Sequence, residues 1–180
     1  MSALIRDLID GIGEDSFGRD LALSTQRVIN INRGARCGYN TLLPKVAKSF
    51  KASEFGVDIV YVKNVVFCSS CERHMMPFFG VASLAYMPAE LVVGLSEVVN
   101  VLNCYSVRLQ SQERLAYQVF DYIKHFLRPK AIVLRLECEH MCMITGGVKS
   151  VCAASGGAIS AGVFNVSKTL LANVVNILME

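Results

Sequence analysis

The sequence is short of charge. Asp, Glu, Lys and Arg make up 18% of its 180 residues, hydrophobic residues 53%, and the net charge is only +3. No Lys/Arg cluster stands out, which argues against a nucleic-acid partner. Long apolar runs are missing as well. Charges or glycines interrupt every candidate before the roughly 20 residues that a membrane helix needs, so no membrane partner is expected. The first ten residues, Met-Ser-Ala-Leu-Ile-Arg-Asp-Leu-Ile-Asp, mix acids and bases and do not read as a signal peptide. Seven cysteines, an odd number, then fit a cytoplasmic protein with free thiols and a metal site. No internal repeat or linker divides the chain, and its length suits one domain with a real core. So apolar a composition in so small a chain points to hydrophobic surface buried between subunits, and an oligomer is expected.

The apolar spacing sorts the chain into two parts. Leu4, Ile5, Leu8, Ile9 and Ile12 share one helical face, and further helices are expected over Asp20–Ile31 and Thr41–Phe50, which makes 1–55 a helical N-terminal part. From 56 to 180 the pattern is mixed. Val57–Phe67, Gly80–Met87, Ala131–Cys138 and Val148–Ala154 read as strands. Glu97–Asn103, N-capped by Ser96, and Gln110–Phe126, with a Leu115, Val119, Tyr122, Phe126 stripe ended by Pro129, read as helices. A Gly/Ala/Ser stretch over Ser155–Gly162 precedes a last helix, Asn165–Leu178. Two hairpins with helices between them predict an α+β layer: an antiparallel four-stranded sheet with helices on one face.

Chemistry concentrates after two of the strands. Cys71 and His74 stand three apart, and His140 and Cys142 two apart. Thiolate plus imidazole is a zinc set, and three protein ligands would leave a fourth position open for water, the catalytic pattern. Two other readings stay open on spacing alone. These are ordinary core residues, or Cys68, Cys71, Cys138 and Cys142 close a four-cysteine structural zinc. Against the latter, a strand would point Cys68 and Cys71 to opposite faces. His125 reads as a helix C-terminal residue, and Cys37, Cys104 and Cys152 as packing residues.

The segments Cys71-Glu72-Arg73-His74-Met75-Met76-Pro77-Phe78-Phe79-Gly80, Ala85-Tyr86-Met87-Pro88, Val93-Gly94-Leu95-Ser96, Gln110-Ser111-Gln112-Glu113-Arg114-Leu115 and Glu139-His140-Met141-Cys142-Met143 resemble, in order and separation, the motifs of the GTP cyclohydrolase I family. The likeness covers nearly the whole chain. It implies the tunnelling fold (T-fold) and a homodecamer with sites at subunit interfaces. It also implies zinc on Cys71, His74 and Cys142, Glu113 and Gln112 on a purine ring, and Val93, Leu95, Ser96 and Arg73 beside the substrate. His140 and Gln112 are the implied catalytic residues. The family's reaction opens the imidazole ring of GTP, releases formate and recloses the remainder as dihydroneopterin triphosphate.

This chain departs from the pattern at four places. Arg73 stands where the family has the first of two adjacent histidines, and a guanidinium does not exchange its proton at working pH. Glu97 replaces a lysine, and Asn100 and Gly146 replace arginines, all three at triphosphate-binding positions. Each charge-assisted phosphate contact is worth about 1.5–3 kcal/mol, so losing three is decisive for a polyanion. The expected function is a zinc-dependent hydrolase that opens a purine-like or pterin-like ring lacking a triphosphate. The alternatives are a non-catalytic pterin- or purine-binding regulatory homologue and a genuine GTP cyclohydrolase I.

Overall fold

The structure, a computed structural model, describes residues 2–18, 21–42, 49–54, 56–146 and 154–179. Helix α1 (Ser2–Gly11) follows the apolar spacing of the N-terminus, and α2 spans Ser24–Ala35 rather than Asp20–Ile31. The helix expected over Thr41–Phe50 falls mostly on residues 43–48, outside the described part. Its last two residues open strand β1 (Ser49–Lys51), which pairs antiparallel with β4 (Leu91–Val93).

The main sheet contains β2 (Val60–Cys71), β3 (Pro77–Met87), β5 (Leu109–Gln110), β6 (Ala131–His140) and β7 (Ala154–Gly162), in the order β5-β2-β3-β6-β7. The antiparallel four-stranded sheet of the expected fold is present as β2-β3-β6-β7. The short β5 adds a parallel fifth strand along the end of β2. The expected strand over Val148–Ala154 lies outside the described residues save for Ala154. The strand instead runs through the Gly/Ala/Ser stretch, paired along its whole length with β6.

One irregularity sets the faces of β2. Val62 pairs with Leu84 and Val65 with Ala82, so one extra residue intervenes, and Asn64 takes a φ of 56° there. Asparagine tolerates the left-handed region better than a β-branched residue would. The shift turns Val65, Phe67 and Cys71 toward the same core as Val60, although the numbering parity has changed. Without it, Cys71 would face the opposite side of the sheet.

That core lies under two helices. α3 (Leu95–Ser106) and α4 (Gln112–Leu127) pack Val98, Val101, Leu102, Leu115, Val119, Phe120 and Ile123 onto Leu84, Tyr86, Leu134 and Leu136. The buried stripe of α4 is Leu115, Ala116, Val119, Phe120, Ile123 and Leu127, not the expected line through Tyr122 and Phe126. Ser111 caps α4 by accepting from the Arg114 N–H, and Arg128 ends it in the left-handed region, one residue before Pro129. The cap of α3 is Gly94, not Ser96, because the helix already includes Leu95.

The opposite face of the sheet is partly covered too. After the turn α6 (Val163–Val166), helix α7 (Lys168–Met179) lays Val174 and Leu178 beside Ala85, Ala131 and Val133. The last helix therefore starts at Lys168 rather than Asn165, and helices are not confined to one face. Toward the other end that face is bare, with Val66 75% exposed and Phe79 41% exposed.

Candidate active site

The cleft forms where β2, β3 and β6 end on the helix-covered side. Phe78 pairs with His140 and Gly80 with Cys138. A Cβ on Gly80 would lie 1.8 Å from the Glu137 carbonyl oxygen, so only glycine lets β3 approach β6 this closely. Beyond β2 the chain turns back at once: the Met75 N–H donates to the Cys71 carbonyl at 2.8 Å, and the Cys71 N–H donates to the Met76 carbonyl at 2.8 Å. Met75 takes a φ of 55° to close this turn. The result sets Cys71 and His74 side by side, with Cys71 Sγ 3.7 Å from His74 Nδ1.

Cys142 arrives from the short helix α5 (Met141–Thr145) at the end of β6. The donor atoms of Cys71, His74 and Cys142 lie within 4.8 Å of one another. A tetrahedral zinc with bonds of about 2.3 Å to sulfur and about 2.0–2.1 Å to nitrogen separates its ligands by about 3.6–3.8 Å. The 3.7 Å spacing of Cys71 and His74 already has that value. Burial first, and then the neighbouring Cys71 thiol, raises the Cys142 pKa. Two thiols and an imidazole at this spacing are donors that a divalent cation binds as thiolates and neutral imidazole, so the donor set fits zinc.

The four-cysteine alternative is excluded by the strand faces. Cys68 is exposed on the opposite side of the sheet from Cys71. Cys138 is buried in the core, and burial, reinforced by Glu113 and Glu137, pushes its thiol up to about 12, leaving it neutral. Of the expected packing cysteines, Cys104 is buried but Cys37 is exposed, and Cys152 lies outside the described residues. His125 sits in the last turn of α4, as expected.

Beside the metal group stands an oriented histidine. The His140 ring stacks on Phe78, with centroids 4.8 Å apart and planes 13° from parallel. His140 Nε2 lies 3.3 Å from Gln112 Oε1. Gln112 is buried, and its Nε2 donates to the carbonyls of Ser155 at 3.0 Å and Leu136 at 3.4 Å. Those two acceptors fix which end of the amide is the oxygen, so Oε1 must accept and His140 Nε2 must donate. Neutral His140 therefore carries its proton on Nε2, with Nδ1 as the free acceptor. Burial lowers the His140 pKa, and the Glu113 carboxylate opposes that shift.

The cleft has a volume of about 310 Å³, and Arg73, Glu113, Ser111 and Met143 complete its wall with the residues above. Glu113 and the Gln112 backbone occupy the first turn of α4, where main-chain N–H groups lack helical partners. Glu72, also in the wall, is bound to Arg114, which is further held by Gln110 Oε1 at 2.9 Å and the Leu109 carbonyl at 2.8 Å.

Cys71, His74, Cys142, Gln112, Glu113, His140 and Arg73 thus share one cleft. Val93, Leu95 and Ser96 do not line it. They lie at the β4–α3 junction, Val93 buried with its N–H on the Tyr86 hydroxyl and Leu95 60% exposed. Glu97 is only 7% exposed and lines the seam between α3 and α4 with Val98, Val101, Ile123 and Phe126. It pairs with no cation among the described residues. Asn100 is exposed, and Gly146 ends α5. Two contacts were not read from the sequence. Phe78 under His140 is visible once β3 and β6 are registered. The bond from Arg36 Nη2 to the Met75 carbonyl, 2.9 Å, joins residues 39 apart and leaves no local signal.

Fold and cleft together define an α+β protein whose sheet end carries a Cys-His-Cys group able to hold a metal ion next to an oriented histidine. The profile of the GTP cyclohydrolase I family matches residues 1–179, and the chain belongs to that family. It is similar to GTP cyclohydrolase 1 of Chlorobaculum tepidum, 35% identical over 94% of this chain and 75% of that one. GTP cyclohydrolase 1 of Bacteroides fragilis is 35% identical over 91% and 84%, and that of Deinococcus radiodurans 34% over 91% and 76%. Among solved structures, an archaeosine synthase QueF-like protein in the apo form aligns with 59% of this chain and 95% of its own, at a TM-score of 0.48 and 17% identity. No helix among the described residues is long and apolar enough to cross a membrane.

Proposed function

We propose that this chain is a zinc-dependent cyclohydrolase-type hydrolase that opens a purine-like or pterin-like ring without a triphosphate. One observation carries the reading. The cleft keeps a Cys-His-Cys group and an oriented His140 beside Glu113, while Glu97, Asn100 and Gly146 offer no cation for a polyphosphate. Zinc on Cys71, His74 and Cys142 supplies Lewis-acid activation when bound.

The chain's own residues do the rest. Glu113 accepts from the N–H edge of the ring. Gln112 holds the His140 imidazole in one tautomer, and His140 exchanges a proton with the substrate at its free Nδ1. Arg73 does not move protons. Val93, Leu95 and Ser96, away from this cleft, serve the cleft of a neighbouring subunit in a homo-oligomer, of which a decamer is the expected size. The exposed apolar residues Leu4, Leu8, Ile12 and Leu95 support such an assembly.

A fluorescence assay for neopterin formation from GTP tests the substrate side. The zinc-loaded protein is expected to give a flat trace with GTP. Sustained turnover would overturn the proposal in favour of an ordinary GTP cyclohydrolase I.

A further inference from the structure

The cleft contains two charges of opposite sign that do not pair with each other. Arg73 and Glu113 both line it. Neither makes a hydrogen bond or an ion pair with any described residue, the ion pairs there being Arg114 with Glu72 and Arg135 with Glu137. Glu72, next in sequence to Arg73, is already occupied by Arg114 and so does not neutralise it. Arg73 is also not free to leave. It sits within the turn that the Met75 N–H closes onto the Cys71 carbonyl, between two metal-group residues. Its guanidinium stays within its own length of the metal end, and Glu113, on the first turn of α4, provides the other charge.

Two thiolates and a neutral imidazole balance a divalent ion. The charges left for a ligand are then one positive and one negative. A polyanion is a poor match for such a cleft, and an uncharged ring would leave Arg73 with solvent as its only partner.

We infer that the substrate is a heterocycle with a 2-amino-lactam N–H edge for Glu113 and, across the ring, a single carboxylate that pairs with Arg73. A planar guanidinium receives a carboxylate through two parallel N–H bonds, which makes Arg73 a specificity residue. This rests on the ring-binding role given to Glu113 above.

The test uses pterin and 6-carboxypterin, a fluorescent pair that differs in the carboxylate alone, titrated against the full zinc-loaded protein. The carboxylate is expected to tighten binding about tenfold, in line with a charge-assisted pair. Arg73→Gln abolishes that preference, Arg73→Lys retains part of it, and Glu113→Gln weakens both probes alike. Arg73 is exposed, and unchanged zinc content confirms that each variant is folded. Equal affinity for the two probes in a protein where Glu113→Gln weakens both, or a preference that survives Arg73→Gln, overturns this inference alone. Binding of neither probe overturns it together with the ring-binding role of Glu113.

Discussion

The metal cleft and the first turn of α3 are both polar places in an apolar protein, but they are built on opposite principles. In the cleft, Gln112 is buried with its amide nitrogen on two carbonyls and its oxygen on His140, while the charges of Arg73 and Glu113 are left for a ligand. In the α3 turn, Glu97 is only 7% exposed and its stem lies along Val98, Val101, Ile123 and Phe126 in the seam between two helices. The first arrangement is organised for chemistry. The second serves the packing of two helices.

The largest effect should come from the cleft. Cys71→Ala removes one of three donors, and zinc affinity should fall by more than the roughly 10–100-fold typical of a lost outer-shell partner. Cobalt substitution reads this directly: thiolate-to-cobalt absorption weakens or disappears in the variant. An unchanged cobalt spectrum would show that Cys71 is not a ligand and would erase the contrast between the two regions.

Gln112→Leu should come next. It keeps the volume but leaves the Ser155 and Leu136 carbonyls without their side-chain donor and His140 without its acceptor. Each lost hydrogen bond costs about 0.5–1.5 kcal/mol, so urea unfolding should shift by about 1–3 kcal/mol. A shift near zero would mean that the amide is not the organiser the geometry makes it. Glu97→Leu should move the other way. Leucine keeps the apolar contacts that the Glu97 stem makes in the seam and adds apolar area there, a gain of about 0.5–1 kcal/mol. Glu97→Lys should not by itself confer turnover of GTP, because Asn100 and Gly146 still offer no cation. Neopterin fluorescence checks it.

Much of this was legible beforehand, for identifiable reasons. The metal residues follow strand ends, and Cys71 and His74 stand close in sequence, so the local turn alone brings them together. The strands β2, β3 and β6 announce themselves through Val, Ile, Tyr and Phe. β7 does not. Its Ala, Ser and Gly residues have little strand preference, and it is held by the ladder to β6 rather than by side chains. The low exposure of Glu97 was illegible because an acid in a helix's first turn is normally solvated, and only the packing of α3 beside α4 covers it. Gln112 was expected to touch the ring. Its side chain also bonds His140 and the carbonyls of Ser155 and Leu136, contacts that depend partly on β7 and so were hidden with that strand.

The smallest predicted effect sharpens the comparison at its boundary. Arg36, just past the end of α2, reaches the Met75 carbonyl at 2.9 Å, and a second nitrogen of its guanidinium bonds the Asn32 side chain. Met75 is the residue whose positive φ closes the turn between Cys71 and His74. Arg36 thus ties the N-terminal helices to the metal loop from outside, without touching a ligand. Removing it in Arg36→Ala costs two hydrogen bonds from a charged donor, to the Met75 carbonyl and to Asn32, both on exposed or part-buried groups and worth about 0.5–1.5 kcal/mol each. If the bond to Met75 serves the loop, zinc affinity measured by competition with a chromophoric chelator should drop only a few-fold, and Arg36→Lys should recover part of it. If it serves only the N-terminal helices, global stability should fall while zinc affinity stays fixed. That result would confine the organised region to the sheet end and α4.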